Sequence, residues 1–156
     1  YYKPLLFKSV ILGASGKIGY VTGLGDKVTQ SQRFNLGGRD VRGFGSGGIG
    51  PRDTGSSDAV GGNKMYAGTF EVVSNLGLDK DTGVRWTVFT DFGSLWGTDY
   101  PSGVTKPNAA NMRLSAGVGI FWSTAIGPLS FSWAKPLSKM AHDTPKTFQF
   151  NIGTRL

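Results

Sequence analysis

Six stretches of this chain alternate, residue by residue, between an apolar side chain and a small or polar one. A period of two belongs to a strand whose two faces meet different surroundings. Val10, Leu12, Ala14, Ile18 and Tyr20 alternate with Gly13, Ser15, Lys17 and Gly19. Tyr66, Phe70 and Val72 alternate with Thr69, Glu71 and Val73, and Val84, Trp86, Val88, Thr90 and Phe92 with Arg85, Thr87, Phe89, Asp91 and Gly93. Met112, Leu114, Ala116, Val118, Ile120 and Trp122 oppose Arg113, Ser115, Gly117 and Gly119 in the cleanest of the runs. Leu129, Phe131 and Trp133 then oppose Ser130 and Ser132, and Phe148, Phe150 and Ile152 oppose Gln149, Asn151 and Gly153. Runs of about ten residues are long enough to cross a bilayer as tilted strands. A soluble barrel or sandwich would also bury one apolar face, but it does not ordinarily carry Arg, Lys, Glu, Asp and Gln on the other side of such strands.

The connections between runs alternate in length. Those at 4–9, 77–83 and 124–128 are short, and those at 23–63, 97–110 and 137–146 are longer. Short turns at one end and long loops at the other are what an antiparallel up-and-down barrel in a membrane requires. Tyr20, Trp96, Tyr100, Trp122 and Trp133 fall near strand ends, where aromatic rings suit the bilayer interface. The expected fold is therefore all-β, a transmembrane antiparallel up-and-down β-barrel. Six strands and a stub at Tyr1 fall short of the roughly eight that close the smallest membrane barrels, so we expect 1–156 to be part of a larger barrel domain. The start at Tyr1-Tyr2-Lys3-Pro4, without an initiator Met, leads to the same expectation of a fragment whose export signal lies elsewhere.

Composition narrows the function classes. No cysteine is present, which removes disulfides, thiolate nucleophiles and cysteine metal sites. His142 is the only histidine and sits beside Asp143 in an expected surface loop, so a catalytic triad or histidine metal site has little to draw on. Gly45-Ser46-Gly47-Gly48 lacks the lysine of a phosphate loop. No enzyme activity, cofactor or metal is expected. The net charge of +7 raises nucleic acid as a partner, but the basic residues are scattered among strands and glycines, and no recognition helix accompanies them. Attraction to anionic lipid head groups explains the charge more economically.

The longest connection carries Gly37-Gly38-Arg39-Asp40-Val41-Arg42-Gly43-Phe44. Two later strands place a carboxylate, Glu71 and Asp91, on the face that should point into a barrel. An arginine on a glycine-rich loop can fold back and meet both, because guanidinium presents several donors in a planar fork suited to carboxylates. On these residues alone, a solvated loop arginine is the better reading of Arg42, and the glycines suit a disordered loop as well as one passing close to a wall.

The same segment, with Ile49-Gly50-Pro51 and Asp58-Ala59-Val60-Gly61-Gly62-Asn63 after it, resembles the sixth extracellular loop of the BamA family of outer-membrane protein assembly factors, in the bacterial surface antigen group. Phe89-Thr90-Asp91-Phe92-Gly93-Ser94-Leu95-Trp96, Arg113-Leu114-Ser115-Ala116-Gly117, Gly127-Pro128-Leu129-Ser130-Phe131-Ser132 with Pro136, and Phe148-Gln149-Phe150-Asn151-Ile152-Gly153 extend the resemblance over nearly the whole chain. It implies the last strands of a roughly sixteen-stranded outer-membrane barrel, with earlier strands and periplasmic POTRA domains outside this sequence.

The resemblance also implies roles. The family's loop arginine falls on Arg42 and its strand carboxylates on Glu71 and Asp91, within a motif framed by Gly37, Gly38, Val41, Gly43 and Phe44. A charge-assisted pair of this kind contributes ~1.5 to 3 kcal/mol, falling toward ~0 to 1 if lumen water screens it. A lateral seam would lie along Phe148 and Phe150, with Gly153 permitting a kink. The terminal Leu156 departs from the usual aromatic ending. The implied function is insertion of client β-barrels into the outer membrane. The implied partners are unfolded client outer-membrane proteins, accessory assembly lipoproteins, outer-membrane lipids and periplasmic chaperones. A two-partner secretion transporter or TamA-like translocation factor shares the loop motif and would differ in its upstream POTRA domains. A passive porin is a further alternative.

Overall fold

A computed structural model describes residues 2–4, 10–75, 83–99, 102–105 and 110–153. Residues 5–9 and 76–82, which hold most of two expected short connections, lie outside the described residues, as do Tyr1, Tyr100 and Leu156. The strands are β1 (Tyr2–Pro4), β2 (Val10–Tyr20), β3 (Gly43–Phe44), β4 (Lys64–Asn75), β5 (Val84–Trp96), β6 (Arg113–Thr124), β7 (Gly127–Ser138), β8 (Pro145–Lys146) and β9 (Phe148–Ile152). Gln30–Gln32 forms a single 3-10 turn, and no α-helix occurs among the described residues.

Seven strands make one antiparallel sheet in the order β1-β2-β4-β5-β6-β7-β9, while β3 and β8 pair separately. Long strands neighbour each other in chain order, which is the up-and-down arrangement expected from the connection lengths. The turn between β6 and β7 is tight: Gly127 takes φ +121°, and the Thr124 hydroxyl donates to the Gly127 carbonyl at 2.6 Å. At the opposite end of the sheet lie the long connections, 21–63, 97–112 and 139–147.

The period-two alternation sorts residues onto the two faces as expected. Ile18, Phe70, Val88, Val118, Ile120, Trp122, Trp133, Phe148, Phe150 and Ile152 stand exposed on the outer face. Thr69, Phe89, Asp91, Arg113, Ser115, Ser132 and Gln149 are buried on the inner face. Phe92 lies across Gly68 on the neighbouring strand, where any Cβ would collide with the ring, and stacks on Phe70 at 5.9 Å. A bulge between Leu114 and Ser115 sets Pro136 opposite Ser115 and Ser138 opposite Leu114. A ladder irregularity of that kind accommodates a residue with no N–H to give.

The apolar core is built by the long connection itself. Leu36, Val41, Phe44 and Ile49 from the loop pack with Met65, Ala67 and Leu95 of the wall, and all seven are buried. Burying a side chain of this size contributes ~1.5 to 3 kcal/mol, so the loop is held by packing as well as by charge. Paired backbone bonds between Phe34 and Gly62 brace its base, and Asp99 accepts from the Val28 N–H at 2.7 Å and from the Asn63 amide at 3.1 Å. Further along the loop, Asp53 accepts the N–H groups of Ser56 and Gly55, which together hold its carboxyl below the ordinary value of 3.8.

Candidate functional site

Arg42 sits where the loop crosses the inner face of β4, β5 and β6. Gly43 takes φ +91°, and a Cβ there would stand 3.2 Å from the Ser115 Cβ and 3.3 Å from the Ala134 Cβ. Only glycine adopts this backbone readily, and a side chain here would also have to push Ser115 and Ala134 back by a few tenths of an ångström. The close approach carries Arg42 onto Asp91.

The contact between them is a two-pronged fork. Arg42 Nε donates to Asp91 Oδ2 at 2.7 Å and Nη2 to Oδ1 at 2.8 Å, while the Arg42 backbone N–H donates to Oδ2 at 2.9 Å. The Thr69 hydroxyl adds a further bond to Oδ1 at 2.8 Å. Asp91 therefore accepts four hydrogen bonds and is fully buried. The guanidinium carbon lies 3.3 Å from the centre of the Phe89 ring, whose π-face favours a cation. The Ser115 hydroxyl donates to the Arg42 carbonyl and fixes the backbone beside it. Glu71 is the looser member, with Oε2 3.7 Å from Arg42 Nη1.

The structure thus brings Arg42, Asp91 and Glu71 together, with Asp91 the principal partner. The side chains of Arg42 and Asp91 are only 10% and 0% exposed, so water does not screen the pair as an open lumen would allow. It falls in the buried regime, where losing one member costs ~3 to 5 kcal/mol because the other charge stays behind unpaired. Gly37 and Gly38 also take positive φ, and Val41 and Phe44 are completely buried.

Phe148 and Phe150 lie on the outer face of β9, with their rings 5.2 Å from Trp133 and 5.0 Å from Phe131. Gly153 follows with φ +112°, its N–H donating to the Pro128 carbonyl at 2.9 Å. The long loop reaches this strand too: Gln149 Nε2 donates to the Phe44 carbonyl at 2.6 Å, and Arg39 Nε to Asn151 Oδ1 at 3.2 Å.

A second buried pair was not foreseen. Arg113 Nε and Nη2 donate to Asp143 Oδ2 and Oδ1 at 2.9 and 3.1 Å. The expectation of a surface position for Asp143 is therefore corrected, since its side chain is 0% exposed. His142 does remain exposed. The available signal was Arg113 itself, an arginine on the inner face of an otherwise small-residue strand and in need of a carboxylate.

An antiparallel sheet with an exposed apolar outer face, filled on its inner face by its own arginine-bearing loop, defines a membrane β-barrel segment of the self-plugged kind. The chain matches the Omp85 superfamily domain over residues 1–156 and belongs to that superfamily. It is 35% identical over 144 residues to the outer membrane protein assembly factor BamA of Neorickettsia risticii (strain Illinois), covering 92% of this chain and 19% of that protein. Against the BamA of Neisseria meningitidis serogroup B it is 31% identical, covering 96% and 22%. The crystal structure of BamA from Haemophilus ducreyi lacking POTRA domains 1-3 superposes with a TM-score of 0.83 at 32% identity, covering 96% of this chain and 32% of that one. The chain spans about a fifth of the length of the curated relatives it matches.

Proposed function

We propose that this chain is the C-terminal part of the barrel of an outer-membrane insertase, a protein that folds client β-barrels into the outer membrane without making or breaking covalent bonds. The observation that carries the reading is the buried Arg42–Asp91 fork on a loop packed against the inner face of the sheet, in a chain whose relatives are outer membrane protein assembly factors. The loop end of the sheet faces the cell exterior and the tight turns face the periplasm. Unfolded clients, delivered by periplasmic chaperones and handled with accessory lipoproteins, pair with the free edge of β9. That strand is five residues long beside a twelve-residue neighbour, so it contributes a short ladder. Gly153 lets it bend away. Arg42, Glu71 and Asp91 act as a latch that holds the loop inside while the wall opens. Lipids beside the seam, disturbed by the short strand, lower the barrier to insertion.

The test uses the full-length protein in liposomes, timing insertion of an unfolded small outer-membrane barrel with wild type and with Arg42→Ala. Wild-type acceleration that Arg42→Ala loses supports insertase and latch together. Equal acceleration keeps the insertase and removes the latch. No acceleration by either, with accessory proteins supplied, removes the insertase.

A further inference from the structure

We propose that Arg113 and Asp143 form a second latch, closing outside the first, and that the two open in series. Both residues are positioning residues for Arg42, and the inference rests on the loop-latch reading above. The pair has the same construction as Arg42–Asp91 with its polarity reversed: here the arginine is on the wall and the carboxylate is on a loop. Arg113 Nη1 donates in addition to the Asn111 carbonyl at 2.7 Å, and Asp143 Oδ2 accepts the Met140 N–H at 2.6 Å. Both ends are therefore anchored to their own backbones.

What this pair holds is the segment that pairs with the arginine loop. Pro145–Lys146 pairs with Gly43–Phe44, the Gly45 N–H donates to the Thr144 carbonyl at 2.9 Å, and the Thr144 N–H donates to the Gly48 carbonyl at 2.8 Å. Arg52 Nε reaches the His142 carbonyl at 2.6 Å. Order along the barrel comes from register. Asp91 pairs with Ser115 and Gly93 with Arg113, so the second latch lies two residues closer to the loop end of the sheet, roughly 7 Å at the rise of a strand. The arginine loop is tethered at that same end, by Tyr20 of β2 and Lys64 of β4. Withdrawing toward its tethers, it has to break its backbone bonds to the segment that Arg113 fastens.

Hydrogen exchange at single amides of the full-length protein in liposomes, without client, tests the order. Asp143→Asn keeps the shape and removes the charge; exchange at Thr144 and Gly45 should rise at least about tenfold, with Arg42 following. Asp91→Asn should leave Thr144 within about twofold of wild type, because the outer latch still holds. Asp143→Asn leaving Thr144 and Gly45 unchanged overturns the proposal, as does Asp91→Asn freeing Thr144 as much as Asp143→Asn does. Should Asp143→Asn fail to fold, the wild type in rising urea decides: Thr144 must open no later than Arg42, and the reverse order overturns the proposal. Client insertion is read separately, so the series order can hold while the insertase reading fails, and the converse.

Discussion

At the scale of single residues, the chemistry of the loop motif is concentrated on Asp91. Its carboxylate accepts from the Arg42 side chain twice, from the Arg42 backbone and from Thr69, with no exposure to water. Asp91→Asn substitutes an amide of the same shape that can accept at one atom only and leaves the guanidinium buried with a distant carboxylate. The expected loss is ~3 kcal/mol of loop stability, seen as faster exchange at the Arg42 amide. Glu71→Gln, at 3.7 Å from Arg42 and without a bidentate contact, should change that exchange less than Asp91→Asn does. An equal effect of the two substitutions would show that the carboxylates share the arginine evenly. Inner-face parity singled out Glu71 and Asp91, and glycine framing made an approach by Arg42 possible, but the three were legible as a set only through the family resemblance of the loop motif. Their ranking was not, since it depends on distances among three separate segments. Asp143 was illegible for the same reason: its burial is created by Arg113, thirty positions earlier in the chain.

At the scale of elements, the long loop behaves as a small core in its own right. Leu36, Val41, Phe44 and Ile49 do for the inner face what a second sheet does in a sandwich, while polar fork and zipper contacts set their position. Phe44→Ala removes a completely buried ring at the point where β3 meets β8. A loss of ~3 to 5 kcal/mol is expected, large enough to free the loop locally and expose it to added protease. The surrounding sheet should keep its resistance to unfolding in detergent. Uncut loop in Phe44→Ala would place the holding energy in the ion pairs instead. The strands themselves were readable from period two with ends accurate to a few residues. The clearest extension is β7, which runs on to Ser138 through a bulge at Pro136. Proline argues against a central strand unless a register shift absorbs it, and such a shift is set by the partner strand.

At the scale of the whole molecule, the sheet has two ends, β1 and β9, and the proposed function resides at the second. In the full-length protein, a disulfide engineered between β9 and the first barrel strand should stop client insertion when oxidised and restore it on reduction. Undiminished insertion with the bond formed would remove lateral opening from the mechanism. By itself the sequence determined that this chain is all-β, that its strands are amphipathic and antiparallel with long loops at one end, and that its longest loop is rich enough in glycine to be able to approach a wall. These follow from alternation, connection length and glycine placement, which are local properties of a chain. The tertiary structure alone decided that the loop supplies the apolar core, that Asp91 outranks Glu71, and that Arg113 and Asp143 close a second pair above the first. Each of those depends on which side chains from distant segments come within a few ångströms of one another and lose their water, and no local pattern encodes that.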